Sequence, residues 1–455
     1  MTKKCSSILL AMLIVSLFTR PVIHAADDFG PEEWHQYRMN SDKNAVFDNG
    51  RPPLENQTYQ TADQIRATPV IAGNKLFVGN HNTGDLFAFN VLTGEKLWQN
   101  QAPNWIHSEM IYNDGQVYVG FGNRFFQGNG IRGTGENGVI ALDAETGEKL
   151  WTFTTEGEVM PTPAYYEDAL YIATGDKHLY KLDPETGELL HKAEIGSTVS
   201  MSSPNITDET LYMGGSGPLP YTFYAYDVKK DVFKWQMEFP DVFAGLDDVP
   251  PAVANNTVVT TAVTGDIDSP EHWLYALNAE TGEILWEESL GTGAFVRNNK
   301  SGAPIIYDDK VLVGSPITQT FYAYDLESGE KLWEFENEVI KAPPAAQDGI
   351  VYFSNKEGMV YALDTETGEV IGKKELNGIL APSGPVIIND TLFIGSQDSN
   401  VYAVPLTDFT KDESAQKTNI ASENDEQANT MLYIAGGIAI ILLVVFIIYL
   451  RKRVS

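Results

Sequence analysis

From residue 65 to residue 405 the chain alternates short apolar runs with polar turns, and no stretch holds the 3.6-residue spacing of an amphipathic helix. Runs such as Leu274-Tyr-Ala-Leu-Asn278 and Val360-Tyr-Ala-Leu-Asp364 have the branched and aromatic content of half-buried strands. Each leads into Thr-Gly or Ser-Gly, where glycine accepts the positive φ of a tight turn, and a second strand leaves the turn and ends at Trp. A shorter pair precedes every copy. Pro69-Val-Ile71 and Lys75-Leu-Phe-Val-Gly79, split by Gly73-Asn74, are one example. The pattern predicts four short strands per unit and an all-β chain.

The unit is written most fully at Ala141–Trp151 (ALDAETGEKLW) and recurs at Ala88–Trp98, Ala276–Trp286 and Ala323–Trp333. Looser copies run Lys181–His191, Ala225–Trp235 and Ala362–Gly372, and Val401–Val404 begins an eighth that Pro405 cuts short. Equivalent Asp or Asn residues fall at 90, 143, 183, 227, 278, 325 and 364, a period of about forty to fifty residues. Four-stranded modules at that period predict propeller blades. Leu54–Thr61 precedes the first Pro-Val strand as Leu189–Ile195 precedes Pro204, so it is expected to supply the outer strand that the eighth blade lacks. Strands from both chain ends would then close the ring and leave no open edge. Proline at 69, 163, 204, 251, 304, 344 and 385 marks the first strand of seven blades, an edge beside the central channel. Blade 2 instead has His107-Ser-Glu109-Met, a carboxylate in reach of the channel.

The pattern Ala-x-(Asp/Asn)-x-x-(Thr/Ser)-Gly-x-x-x-Trp resembles the tryptophan-docking repeat of pyrroloquinoline-quinone-type β-propellers. That family includes quinoprotein alcohol dehydrogenases and the propeller lipoprotein of the bacterial outer-membrane protein assembly machinery. The resemblance covers roughly residues 34 to 404 and is full at Trp98, Trp151, Trp286 and Trp333. The fourth copy keeps Trp235 but has Asp231 at the Gly position, while the third and seventh put His191 and Gly372 at the Trp position. The resemblance implies an eight-bladed propeller in which these Trp residues pack between neighbouring blades. It also implies that Glu33-Trp-His-Gln-Tyr-Arg38 packs over one face of the ring. In the family's enzymes a quinone sits in the channel on Ca²⁺ held by carboxylate and amide oxygens, beside an Asp base. No such set can be placed here residue by residue. Glu109, Asp247 and Asp248 have suitable chemistry without a matching motif, and the adjacent cysteine pair common in those enzymes is absent.

Outside the repeats, residues 1–26 have a basic start, the apolar run Ile8–Phe18 and Ile-His-Ala-Ala before an acidic stretch, as a secretory signal does. The only cysteine, Cys5, lies within it, which removes disulfides, thiolate catalysis and covalent haem attachment from the mature chain. Residues 27–406 then form the propeller and 407–430 a polar, acidic stalk. Residues 431–450 are apolar enough to span a membrane, and Arg451-Lys-Arg453 places the five-residue tail inside and the propeller outside.

The formal net charge is −31, and removing the signal and tail removes six basic residues and no acid. Such a surface repels nucleic acid and anionic lipid, and suits saline surroundings, divalent cations or basic partners. The long insertions are Gly122–Gly138, Gly214–Tyr221, Phe239–Val249, Thr264–Trp273 and Gly291–Gly302. All join second to third strands or one blade to the next, so they emerge on one face, where loops carry function. That face collects Trp105, Arg124, Phe125, Phe126, Arg132, Phe243, Trp273, Phe295, Arg297 and Lys300, the residue types that dominate binding hot spots, with Glu109 beside the channel. Asp266, Asp268 and Glu271 offer oxygen ligands for Ca²⁺ without the loop of an EF-hand. The sequence thus points to a non-enzymatic, membrane-tethered cell-surface propeller that binds an extracellular protein, peptide or cell-wall ligand. The alternative is an oxidoreductase using pyrroloquinoline quinone and Ca²⁺.

Overall fold

The computed structural model describes residues 28–409 apart from Asn299. The expected signal, transmembrane segment and tail lie outside the described residues, and no helix among those described is long and apolar enough to cross a membrane. Eight sheets, antiparallel but for the parallel pairing of Val46–Phe47 in the last, follow one another along the chain, and the first seven are entered by a short inner strand and left by a more exposed outer one. Blade 1 holds Val70–Ala72, Lys75–Gly79, Asp85–Asn90 and Lys96–Gln101. The two middle strands are almost wholly buried, because each face of the sheet packs against a neighbouring blade. Outer strands such as Lys331–Glu336 alternate toward solvent.

The eighth blade closes as expected. Gln57–Gln60 pairs antiparallel with Asn400–Pro405 and becomes its outermost strand. Two details differ from the sequence reading. The blade prolines stand immediately before the innermost strands, which begin at Val70, Ala164, Asn205, Ala252, Ile305, Ala345 and Val386, rather than within them. The stretch expected to start the stalk is also still part of the propeller: Leu406–Asp408 forms a 3₁₀ turn, and buried Phe409 packs its ring 5.5 Å from Tyr352.

The docking residues explain the ring. Trp98, Trp151, Trp235, Trp286 and Trp333 each donate the indole N–H, at 2.9–3.0 Å, to a carbonyl at the start of the next blade's turn: Ala144, Pro184, Ala279, Leu326 and Thr365. Each indole lies on that turn's glycine, and a Cβ on Gly147, Gly187, Gly282, Gly329 or Gly368 would stand 2.6–2.7 Å from it. The irregular copies fall where this contact is replaced. His191, in the Trp position of blade 3, faces blade 4, whose turn carries Asp231 instead of glycine, and there Lys181 Nζ bonds both Val228 O and the Asp231 carboxylate. At Gly372 no side chain fits, because a Cβ would meet the Phe409 carbonyl. Between blades 8 and 1 the closing strand divides the work. Gln57, paired with Ala403 as each Trp is with its Ala, lies on Gly94, and Tyr59 donates its hydroxyl to Val91 O.

The N-terminal segment circles the inner edge of the ring. Gly30 bonds Gly73 in blade 1, Trp34 pairs with Tyr112 in blade 2, and the His35 carbonyl accepts from Tyr165 in blade 3. Gln36 Oε1 accepts from Ile206 in blade 4, and the carbonyls of Ser41, Asp42 and Ala45 accept from Val253, Ile306 and Ile387 in blades 5, 6 and 8. Asn44 Oδ1 accepts from Ala346 in blade 7. Innermost strands are edges with unpaired N–H groups, and one segment satisfies them in turn. The lead-in predicted to cover one face therefore seals one end of the channel.

Candidate functional site

With one end sealed, the channel is a blind well of about 510 Å³ opening on the long-loop face. Its narrow floor is an eightfold ring in register with the blade prolines, three residues before each proline or its equivalent Met110: Arg66, His107, Met160, Met201, Asp248, Ser301, Lys341 and Pro382. Arg66 and Lys341 belong to no motif of the repeat. Their shared offset from the proline was the available signal.

Of the residues expected on the working face, Arg124, Phe126, Arg132 and Lys300 line the well, together with the unanticipated Arg66, His81, His107, Lys177 and Lys341. Trp105 sits at the entrance between His81 and Phe125, with ring centroids at 4.8 and 5.3 Å. Phe125 and Phe126 are 51% and 64% exposed, so the rim is apolar. Phe243 and Phe295 pack on each other at 5.7 Å, Trp273 stacks on Tyr275, and exposed Arg297 is not among the wall residues, although neighbouring Asn298 is. Two of the insertions are not loops. Thr264–Trp273 belongs to a long hairpin of Thr257–Gly265 and Pro270–Asn278, and Phe239–Val249 holds a strand, Val242–Ala244, and the 3₁₀ turn Leu246–Asp248. That turn brings Asp247 and Asp248 to the well.

Glu109 does not reach the working face. It is 1% exposed at the base, where its Oε2 accepts the Arg38 backbone N–H at 2.9 Å. Burial pushes its carboxyl up to about 7. Buried Lys43, held by the Asn40 and Tyr37 carbonyls, is brought down to about 7 for the same reason. The proposed Ca²⁺ ligands are not gathered either. Asp266 Oδ1 accepts the backbone N–H groups of Asp268 and Ser269, which closes the hairpin turn, and Glu271 accepts from Ser289 Oγ at 2.6 Å.

The walls carry six cationic side chains against two carboxylates. Lys341 is paired with Asp248. Burial alone would raise Asp248, but Lys341 and Lys300 outweigh it and hold the carboxyl below its usual range. Asp247 lifts Lys300. Arg132 approaches Glu158 at 3.2 Å, yet Glu158 is fully buried, and burial first, with Asp247 and Asp176 adding to it, holds its carboxyl well above the usual range. Desolvation followed by nearby Arg66 brings His81 down to about 4, and His107 is lowered too, so both imidazoles are neutral at pH 7. The Arg66 Nε and Asp247 Oδ1 atoms are buried without a hydrogen-bond partner.

This donor set does not suit Ca²⁺, which takes roughly six to eight oxygen ligands. Both carboxylates of the well already face ammonium groups, and no group of three His, Cys, Asp or Glu side chains suited to a metal exists among the described residues.

Comparison with known proteins gives the lineage. The chain is 26% identical to the tetrathionate hydrolase of Acidithiobacillus ferrooxidans over 83% of its own length and 86% of that protein. It is 22% identical to the outer membrane protein assembly factor BamB of Shewanella oneidensis over 75% of its length and 85% of the relative. Among solved structures, BamB from Moraxella catarrhalis superposes with a TM-score of 0.59 at 18% identity, covering 76% of this chain and 98% of that one. The quinohemoprotein alcohol dehydrogenase of Comamonas testosteroni superposes with a TM-score of 0.63 at 13% identity, covering 83% and 81%. Residues 48–125, 120–238 and 221–411 match the family described as outer membrane protein assembly factor BamB. Together with the docking tryptophans and the eight closed blades, this shows that the chain belongs to that family of pyrroloquinoline-quinone-like β-propellers.

Proposed function

We propose that this protein is a non-enzymatic binding propeller, held at the cell surface by the apolar segment 431–450, that receives an extracellular protein, peptide or cell-wall ligand on its long-loop face. The observation that carries this reading is the convergence, on one face, of exposed Phe125, Phe126 and Leu219 with the cationic well they surround. The opposite face is sealed by the N-terminal segment and presents minimal turns. Relatives named for outer membrane protein assembly support a protein partner. The test is site-specific photo-crosslinking in intact cells. A photoreactive residue at Phe126 is expected to give a discrete adduct, and one at Glu145 in an outer turn none. Adducts of equal yield at both positions, or only at Glu145, would overturn the assignment of the face.

A second reading, hydrolysis of a sulfur oxyanion, draws support from the similarity to the tetrathionate hydrolase together with the blind well and its buried acids Asp247 and Glu158. Release of product from tetrathionate by the purified protein, abolished by Asp247→Asn, would favour it over the first. The oxidoreductase alternative has the fold of its neighbours in its favour, but the donors for Ca²⁺ are wanting.

A further inference from the structure

We infer that the axial well is a binding site for a compact oxyanion group of the sulfate or phosphate type. The site stands whether or not a protein docks on the rim above it. The protein as a whole is strongly acidic, with net charge −31, yet the wall of this one cavity holds an excess of cations. They arrive from separate places round the ring: Arg66 before blade 1, Arg124 and Arg132 from blade 2, Lys177 from blade 3, Lys300 before blade 6 and Lys341 before blade 7. A surface charge imbalance would be screened and spread by solvent, whereas a recessed well with one open end concentrates it.

Compensation inside the well is partial. Lys341 is paired with Asp248 and Lys300 faces Asp247, which leaves Arg124, whose guanidinium donates to Asn298 Oδ1, and Lys177 without a wall carboxylate, while Arg66 has only the field of an Asp248 already paired with Lys341. Arg132 has only Glu158 behind it, an acid whose carboxyl is fully buried and held well above the usual range. At the floor, the Arg66 Nε–H is buried and unpartnered. A buried guanidinium donor left unmade is costly, and an anion on the axis satisfies it. The shape of the anion follows from the directions of approach. Donors converging from several blades suit a tetrahedral group with oxygens on all sides, whereas a planar carboxylate is matched best by a single fork. Met160, Met201 and Pro382 between them are apolar, and at about 510 Å³ the well holds a compact charged group and not a polyanionic strand.

The oxyanion could be inorganic or could be carried by a sugar at the cell surface, and the experiment separates the two. The full-length protein in detergent micelles would be titrated calorimetrically with sodium sulfate, sodium phosphate and glucose 6-phosphate, at ionic strength matched with sodium chloride. The site predicts saturable one-to-one binding of at least one of them. Arg66→Gln is expected to weaken it at least tenfold while keeping the thermal transition, and Lys149→Gln, an exposed lysine on an outer strand, should leave it unchanged. Tighter binding of glucose 6-phosphate assigns the site to a carried group, and tighter binding of inorganic sulfate or phosphate to the free ion. Heats that do not saturate, or saturable binding indifferent to Arg66→Gln in a folded variant, overturn the proposal. A Phe126 adduct in cells would survive that failure, because it depends on the rim alone.

Discussion

Replacing Gly329 by alanine should destabilise the propeller through one contact between blades 5 and 6. Gly329 has φ +74°, and its Cα faces the Trp286 indole so closely that a Cβ would lie 2.7 Å from Cδ2 and 2.8 Å from Cγ. Alanine in the left-handed region costs roughly 1–2 kcal/mol. Forcing the ring away from a packed interface costs about 1–3 kcal/mol more, and it strains the 2.9 Å bond from Trp286 Nε1 to Leu326 O. The sum is about 2–5 kcal/mol. For about 380 ordered residues the unfolding entropy is about 0.8 kcal/mol per degree, so the thermal midpoint should fall by about 3–6 °C. Blade 4 supplies the internal control. Its turn holds Asp231 at φ 55° with no tryptophan docked on it, so Asp231→Ala should lose a partly buried ion pair to Lys181 and some backbone tolerance of the left-handed region, and shift the midpoint by about 2 °C or less. Differential scanning calorimetry of both variants and of Gly329→Ala with Trp286→Ala decides the matter. The double variant should melt higher than the sum of the two single losses predicts, because the clash disappears with the ring. A Gly329→Ala midpoint within 1 °C of wild type, or strict additivity in the double variant, would refute the docking argument.

Other consequences follow from the base and the seam. Glu109 is raised to about 7 against 4.5 in the unfolded chain, so the native state holds the extra proton and this group's contribution to stability falls as pH rises from about 4.5 to 7. Glu109→Gln should therefore match wild type near pH 4.5 and exceed it at pH 8, by on the order of 3 kcal/mol, in calorimetric midpoints taken across that range. Lys43 acts in the opposite sense: lowered to about 7 from 10.5, it makes stability climb between about pH 7 and 10.5, and Lys43→Met should flatten that arm. Tyr59→Phe removes the hydroxyl that the closing strand donates to Val91 O and leaves a buried carbonyl short of a partner, for about 1–3 kcal/mol and a midpoint about 1–4 °C lower.

Much of this molecule was legible in the sequence because its physics repeats. Periodic turns and docking residues announced the blade, the number of copies announced the ring, and the truncated eighth copy announced Gln57–Gln60 as its missing strand. Even the departures were informative. The blade 4 turn that departs from the repeat at Asp231 is held by Lys181 of blade 3, a pairing visible only when the two blades stand side by side. What the sequence concealed lies where the repeat is not the determinant. The lead-in touches six of the eight blades through backbone–backbone bonds of residues 30–45, which carry no side-chain signature, and reaches blades 4 and 7 with the Gln36 and Asn44 side chains. Glu109 aligns with the channel, but the cap buries it, so its distance along the chain from Arg38 hid its role. The working face could be named from loop length alone, whereas the well could not, because Arg66 and Lys341 lie 275 positions apart in sequence and meet only when the ring closes. Asp266 and Glu271 illustrate the opposite error, since acidic residues close in sequence were spent on a turn and a neighbouring serine.

Crystals grown in sodium selenate and measured at the selenium edge would report directly on whether the axis of the ring, on the long-loop side, is where this protein meets its ligand. One anomalous peak is expected in the well, within hydrogen-bonding distance of the Arg66 guanidinium, with none on the sealed side. Peaks scattered over surface lysines with an empty well would contradict it.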